Sequence, residues 1–113
     1  MFAALFLAAA LNASASQCFA AVLKEGGYGF RNEERAAFLV ARGDGSYDCA
    51  MWPRTNGVER THWDGVIPPG TVAIAHTHPR AKPLPSQQDM RESKRLGMPI
   101  YVVTTSGVTV AEP

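Results

Sequence analysis

Thr71 to Asp89 reads TVAIAHTHPRAKPLPSQQD, and the fold of the chain turns on how this stretch is divided. Thr71-Val72-Ala73-Ile74-Ala75-His76 is β-branched and alternating, which predicts a strand whose far end carries His76. Thr77 to Pro85 contains three prolines and cannot be regular. Ser86-Gln87-Gln88-Asp89 then opens a helix expected to run to Leu96, where Gly97 and Pro99 stop it. Strand, irregular loop and helix therefore follow one another within a few dozen residues, and both histidines sit where strand gives way to loop.

Working outward, Pro68-Pro69-Gly70 is a turn before that strand, and Ile100–Thr104 and Val108–Ala111 make a hairpin around Thr105-Ser106-Gly107 after the helix. Upstream, Ala36 to Val40 is a short apolar run before the turn signal Gly43-Asp44-Gly45, and Arg35 to Ala41 is read as a buried strand with a hairpin into Tyr47–Trp52. Pro53 to Gly57 is loop, and Val58 to Trp63 has no settled reading. Gln17 to Lys24 places Cys18, Phe19, Val22 and Leu23 at helical spacing, and Gly26, Gly27 and Gly29 end that helix. The order helix, strands, helix, strands predicts an α+β fold in which helices pack on one sheet.

With 113 residues there is room for one domain. Lys and Arg number 11 against 10 Asp and Glu, so no net field favours nucleic acid or an anionic membrane as partner. Residues 1–15, MFAALFLAAALNASA, read as a signal peptide, with an Ala-x-Ala pattern at Ala13–Ala15 allowing cleavage before Ser16, although no Lys or Arg precedes the apolar run. That run is too short to span a bilayer. On this reading residues 16–113 form the mature domain, secreted or periplasmic; a cytoplasmic protein with a buried first helix is the competing reading. Cys18 and Cys49 both survive such a cleavage, and pairing between them stays open.

Residues two apart in an extended segment point to the same side, so His76 and His78 can present both imidazoles to one point. An Asp in the first turn of the next helix, Asp89, can close the set. Two nitrogens and one carboxylate oxygen suit a catalytic zinc ion (Zn2+) and leave a position for water, whose pKa falls toward ~7 on the metal. A carboxylate must then move the proton, for which Glu33 and Glu34 are candidates, and Ser86 offers a hydroxyl toward the developing oxyanion. Ser86 and Asp89 taken alone equally resemble a helix capping box, which needs no chemistry. His62 has no metal-binding partner at a telling spacing; Trp52, Trp63 and Phe38 read as core or cleft wall, Met51, Met90 and Met98 as packing residues, and Arg91, Lys94 and Arg95 as a solvated helix face.

His76-Thr77-His78-Pro79, then Pro79 to Pro85, then Ser86-Gln87-Gln88-Asp89 resembles the motif of the JAMM (JAB/MPN+) zinc metallopeptidases, in which an upstream Glu precedes His-Ser/Thr-His, seven residues, Ser, two residues and Asp. The resemblance implies a single mixed β-sheet sandwiched by helices, layered as in cytidine deaminases. It implies His76, His78 and Asp89 as zinc ligands and Ser86 as the hydroxyl that positions water or stabilises the oxyanion. Glu34-Arg35-Ala36-Ala37-Phe38-Leu39 fits the family's frame better than the window begun at Glu33, so Glu34 is expected to be the general acid/base and Glu33 the fallback. The implied activity is hydrolysis of a peptide or isopeptide bond in a peptide or protein substrate. The chain lacks long insertions of the kind that grip ubiquitin in eukaryotic members. The alternative is a non-catalytic metal-binding module, or an interaction domain of an export or toxin system whose partner protein is unknown.

Overall fold

The computed structural model describes residues 13–30, 34–53, 62–78 and 82–113. Helix α1 spans Ala13–Glu25, strand β1 Ala36–Ala41, β2 Tyr47–Met51, β3 Thr71–Thr77, helix α2 Gln87–Leu96, β4 Ile100–Thr104 and β5 Gly107–Ala111, with a short 3-10 turn at Gly27–Gly29. The five strands form one sheet in the order β2-β1-β3-β4-β5. β3 and β4 are parallel and every other pair is antiparallel. A parallel pair needs a long crossover, and α2 supplies it.

Alternation along the strands sorts the core into two layers. Ala37, Leu39, Ala73, Ala75, Tyr101 and Val103 face α1, which meets them with Ala15, Cys18, Phe19 and Val22. Those four helix positions recur at three- and four-residue spacing and form one face. Ala36, Phe38, Trp52, Ile74, Ile100 and Ala111 form the opposite layer, joined by Leu96 and Met98 at the end of α2. The sheet is thus a mixed one between two helices, as the α+β reading requires. Phe38, Trp52 and Trp63 stack within this second layer at centroid distances of 4.9 to 5.3 Å, so the aromatic residues are core here.

α1 begins at Ala13, four residues ahead of the expected start at Gln17. Ala15 is fully buried and the Ser14 hydroxyl accepts a hydrogen bond from the Tyr47 amide at 2.9 Å, so the first turn is part of the packed helix. Cys18 and Cys49 are disulfide-bonded, which ties α1 to the edge strand β2 and settles the pairing the sequence left open. At its other end α1 comes very close to β3: a Cβ placed on Gly26 would lie 2.7 Å from Thr77 Oγ1, so only glycine fits there.

The buried residues of α2 are Asp89, Glu92 and Ser93, so this helix docks through polar contacts. Glu92 accepts from Arg95 at 2.7 and 2.8 Å and lies 3.2 Å from His62 Nδ1, while His62 Nε2 lies 2.7 Å from Asp64. Arg95 also donates to the Trp63 carbonyl at 2.7 Å. One expectation changes: Met90 is half exposed rather than packed. Arg91, Lys94 and Arg95 are exposed, as read, and Arg95 in addition ties α2 to the 62–67 segment. Val58 to Thr61 and most of the Pro53–Gly57 loop lie outside the described residues.

Ser93 Oγ is within 2.7 Å of the Met98 carbonyl and 3.0 Å of the Ala111 carbonyl, holding α2 to β5. Ser93→Ala leaves buried carbonyls without that donor and is expected to lower unfolding stability by about 1–3 kcal/mol, as read by urea denaturation.

Candidate metal centre

The site forms where the C-terminal end of β3 meets the first turn of α2. Ile74 belongs to the layer facing α2, and His76, two residues on along the strand, falls on the same face. His76 and His78 are buried, and their rings lie 4.9 Å apart. Ser86 caps α2: its hydroxyl accepts from the Asp89 amide at 3.1 Å, and the Asp89 carboxylate accepts from the Ser86 amide at 2.7 Å. The capping box is therefore real, and it has a second consequence. It fixes the Asp89 side chain so that Oδ1 lies 2.9 Å from His76 Nε2 and Oδ2 lies 2.8 Å from His78 Nε2.

The other nitrogen of each ring is also accounted for. His76 Nδ1 donates to the Thr77 carbonyl at 3.0 Å, and His78 Nδ1 donates to the Lys82 carbonyl at 2.9 Å. A carbonyl oxygen can only accept, so both Nδ1 atoms carry hydrogen and both Nε2 atoms are directed at the Asp89 carboxylate. This is the orientation metal-binding histidines take when an outer partner fixes the tautomer. Sequence reasoning missed the two carbonyls, since a backbone oxygen leaves no mark in a sequence.

Glu34 arrives from the other side of β3. The Arg35 amide donates to Thr77 Oγ1 at 3.1 Å, and the Thr77 amide donates to the Arg35 carbonyl at 3.0 Å, so the backbone beside Glu34 is locked to the end of β3. The carboxylate of Glu34 reaches to 3.4 Å from His76 Nδ1. Glu34, His76 and His78 each offer a ligand atom within 4.8 Å of the others, a cluster that could hold a metal ion.

Burial opposes a positive imidazole at His76, but the carboxylates of Asp89 and Glu34 outweigh it and push its pKa up to about 9. Burial likewise opposes a negative Asp89, yet the bonds from His76 and His78 hold it well below the usual carboxylate range. The buried Asp89 carboxylate and the partly buried Glu34 carboxylate beside two imidazoles favour positive charge between them, and the same donors could hold a metal ion with nitrogen and oxygen preferences.

The structure thus brings together His76, His78, Asp89 and Glu34 and puts Ser86 at the exposed rim, one hydrogen bond away from Asp89. Glu33, the fallback base, lies outside the described residues. His62 belongs to the α2 clasp, away from this cluster. Among the described residues, no helix is long and apolar enough to cross a membrane. No curated protein matches the chain. One family does: the match to the prokaryotic homologs of the JAB domain runs over residues 32–112 and takes in every side chain of the cluster. Sheet, crossover helix and converging side chains agree with that match, and the chain belongs to this family of prokaryotic JAB-domain homologs.

Proposed function

We propose that the protein is a zinc-dependent hydrolase of peptide or isopeptide bonds, with zinc held by His76, His78 and Asp89. The observation that carries this reading is the convergence of both Nε2 atoms on one carboxylate while both Nδ1 atoms are held by backbone carbonyls. Such an arrangement orients donors at one point, which core packing alone does not require. Bound there, zinc supplies a Lewis acid that polarises the scissile carbonyl and acidifies water.

The chain's own residues do the rest. Glu34, anchored beside the end of β3, takes a proton from the attacking water and returns it to the amine that leaves as the carbon–nitrogen bond breaks. The water oxygen becomes part of the new carboxyl group. The Ser86 hydroxyl, which uses its oxygen to accept from the Asp89 amide, keeps its proton for donation toward the carbonyl oxygen as negative charge grows there. The same reading places the activity in an oxidising compartment, secreted or periplasmic, after removal of an N-terminal leader. The Cys18–Cys49 disulfide supports that setting. Cleavage before Ser16 would take away Ser14 and Ala15, so processing upstream of Ala13 suits the packed helix better.

Purified wild type is expected to carry about one zinc per chain and His78→Ala to lose it, measured by elemental analysis beside cleavage of a peptide library. A wild type that stays metal-free in excess zinc would sink the proposal. Stoichiometric zinc without any cleavage would instead assign the site to a metal-binding module that holds loop to helix.

A further inference from the structure

The loop between the two halves of the site is fastened at a point no motif marks. Lys82 to Pro85 reads Lys-Pro-Leu-Pro, so Pro83 and Pro85 have no amide hydrogen with which to anchor the segment. Yet this loop must be held, because the Lys82 carbonyl is the acceptor that orients the His78 ring. The hold comes from β5: Thr109 Oγ1 donates to the Pro83 carbonyl at 2.6 Å. Register explains why it is Thr109 that reaches. Val102 on β4 pairs with His76 on one side and Thr109 on the other, so Thr109 stands in the same cross-strand row and on the same sheet face as His76.

We infer that Thr109 is a positioning residue for the metal site, acting through the Pro83 carbonyl and the adjacent Lys82 carbonyl to hold His78 Nε2 toward Asp89. The inference rests on the reading of His78 as a ligand. His76 provides an internal contrast, since its own acceptor is the carbonyl of the next residue in β3 and does not depend on the loop.

The test compares Thr109→Val with Thr109→Ser. Valine keeps the branched shape and the preference for a strand but removes the donor, whereas serine keeps the donor. In the metal-free protein, exchange of the His78 Nδ1 proton with solvent, followed by NMR, is expected to speed up about tenfold in Thr109→Val, the effect of losing one ordinary hydrogen bond. The His76 Nδ1 proton should not respond, and Thr109→Ser should restore the wild-type rate at His78. Zinc affinity, measured by chelator competition with zinc alone, should fall about tenfold in Thr109→Val and recover in Thr109→Ser. Unchanged exchange at His78, or equal acceleration at His76, would overturn the positioning role. So would Thr109→Ser behaving like Thr109→Val, or zinc affinity in Thr109→Val equal to wild type. If wild type binds no zinc while the proton at His78 responds as expected, the metal reading fails and the loop clamp stands.

Discussion

Glu34→Gln is expected to reduce peptide hydrolysis by a factor of about a hundred to ten thousand while the zinc content stays at the wild-type level. Glutamine has the shape of glutamate and can still accept a hydrogen bond at its carbonyl oxygen, but it cannot take and return a proton at pH 7. The substitution therefore removes one capacity and leaves the rest in place. The backbone next to Glu34 is held independently of the carboxylate, because Arg35 exchanges two hydrogen bonds with Thr77. Metal content and peptide turnover, measured on one preparation, separate two roles that the cluster geometry alone leaves combined. Glu34 lies close enough to both histidines to be a ligand itself. Loss of zinc in Glu34→Gln would make it one, and the proton carrier would have to be sought elsewhere. Retained zinc with undiminished turnover would remove Glu34 from the chemistry and bring Glu33 forward.

Legibility in the sequence followed the physical origin of each feature. Strands β1 to β5 and helix α2 came out within about a residue or two of their observed bounds, because periodicity, proline and glycine mark them locally. The helix cap and the convergence of the histidines were legible for a related reason: Ser86 and Asp89 lie on one helical turn, and His76 and His78 are two apart at the end of a strand. Their joint meaning is visible only in three dimensions. One carboxylate serves both as the capping group of α2 and as the meeting point of two imidazoles, so the bland reading and the functional one are the same contact. The start of α1 was placed late because Ala13–Ala15 reads as the cleavage pattern of a leader, whereas Ala15 is fully buried against the sheet. Contacts between distant segments were out of reach altogether. Nothing near Arg95 announces that the Trp63 carbonyl will accept from it, and nothing near Thr109 announces Pro83.

Replacing both Cys18 and Cys49 by serine should cost about 3–4 kcal/mol of unfolding free energy, equivalent to a fall in melting temperature of roughly 15 °C for a chain of this size. The two cysteines are 31 residues apart, so the bond removes a large amount of freedom from the unfolded chain. It also closes a specific gap in the fold. α1 reaches the sheet through a narrow apolar face of Ala15, Cys18, Phe19 and Val22, and β2 is an edge strand paired on one side only, to β1. The disulfide joins that helix to that edge. α1 lies on the opposite face of the sheet from the His76 cluster, and its connections toward the cluster, the close approach of Gly26 to Thr77 and the ion pair of Glu25 with Arg35, are at the far end of the helix from Cys18. Zinc affinity is therefore expected to survive reduction at temperatures where the reduced protein is still folded, whereas the melting curve shifts. Thermal unfolding with and without a thiol reductant, with zinc binding measured in parallel, gives the comparison. A reduced protein that melts within a few degrees of the oxidised one would mean that α1 holds to the sheet by packing alone, and the argument from the disulfide to an oxidising compartment would lose its physical basis.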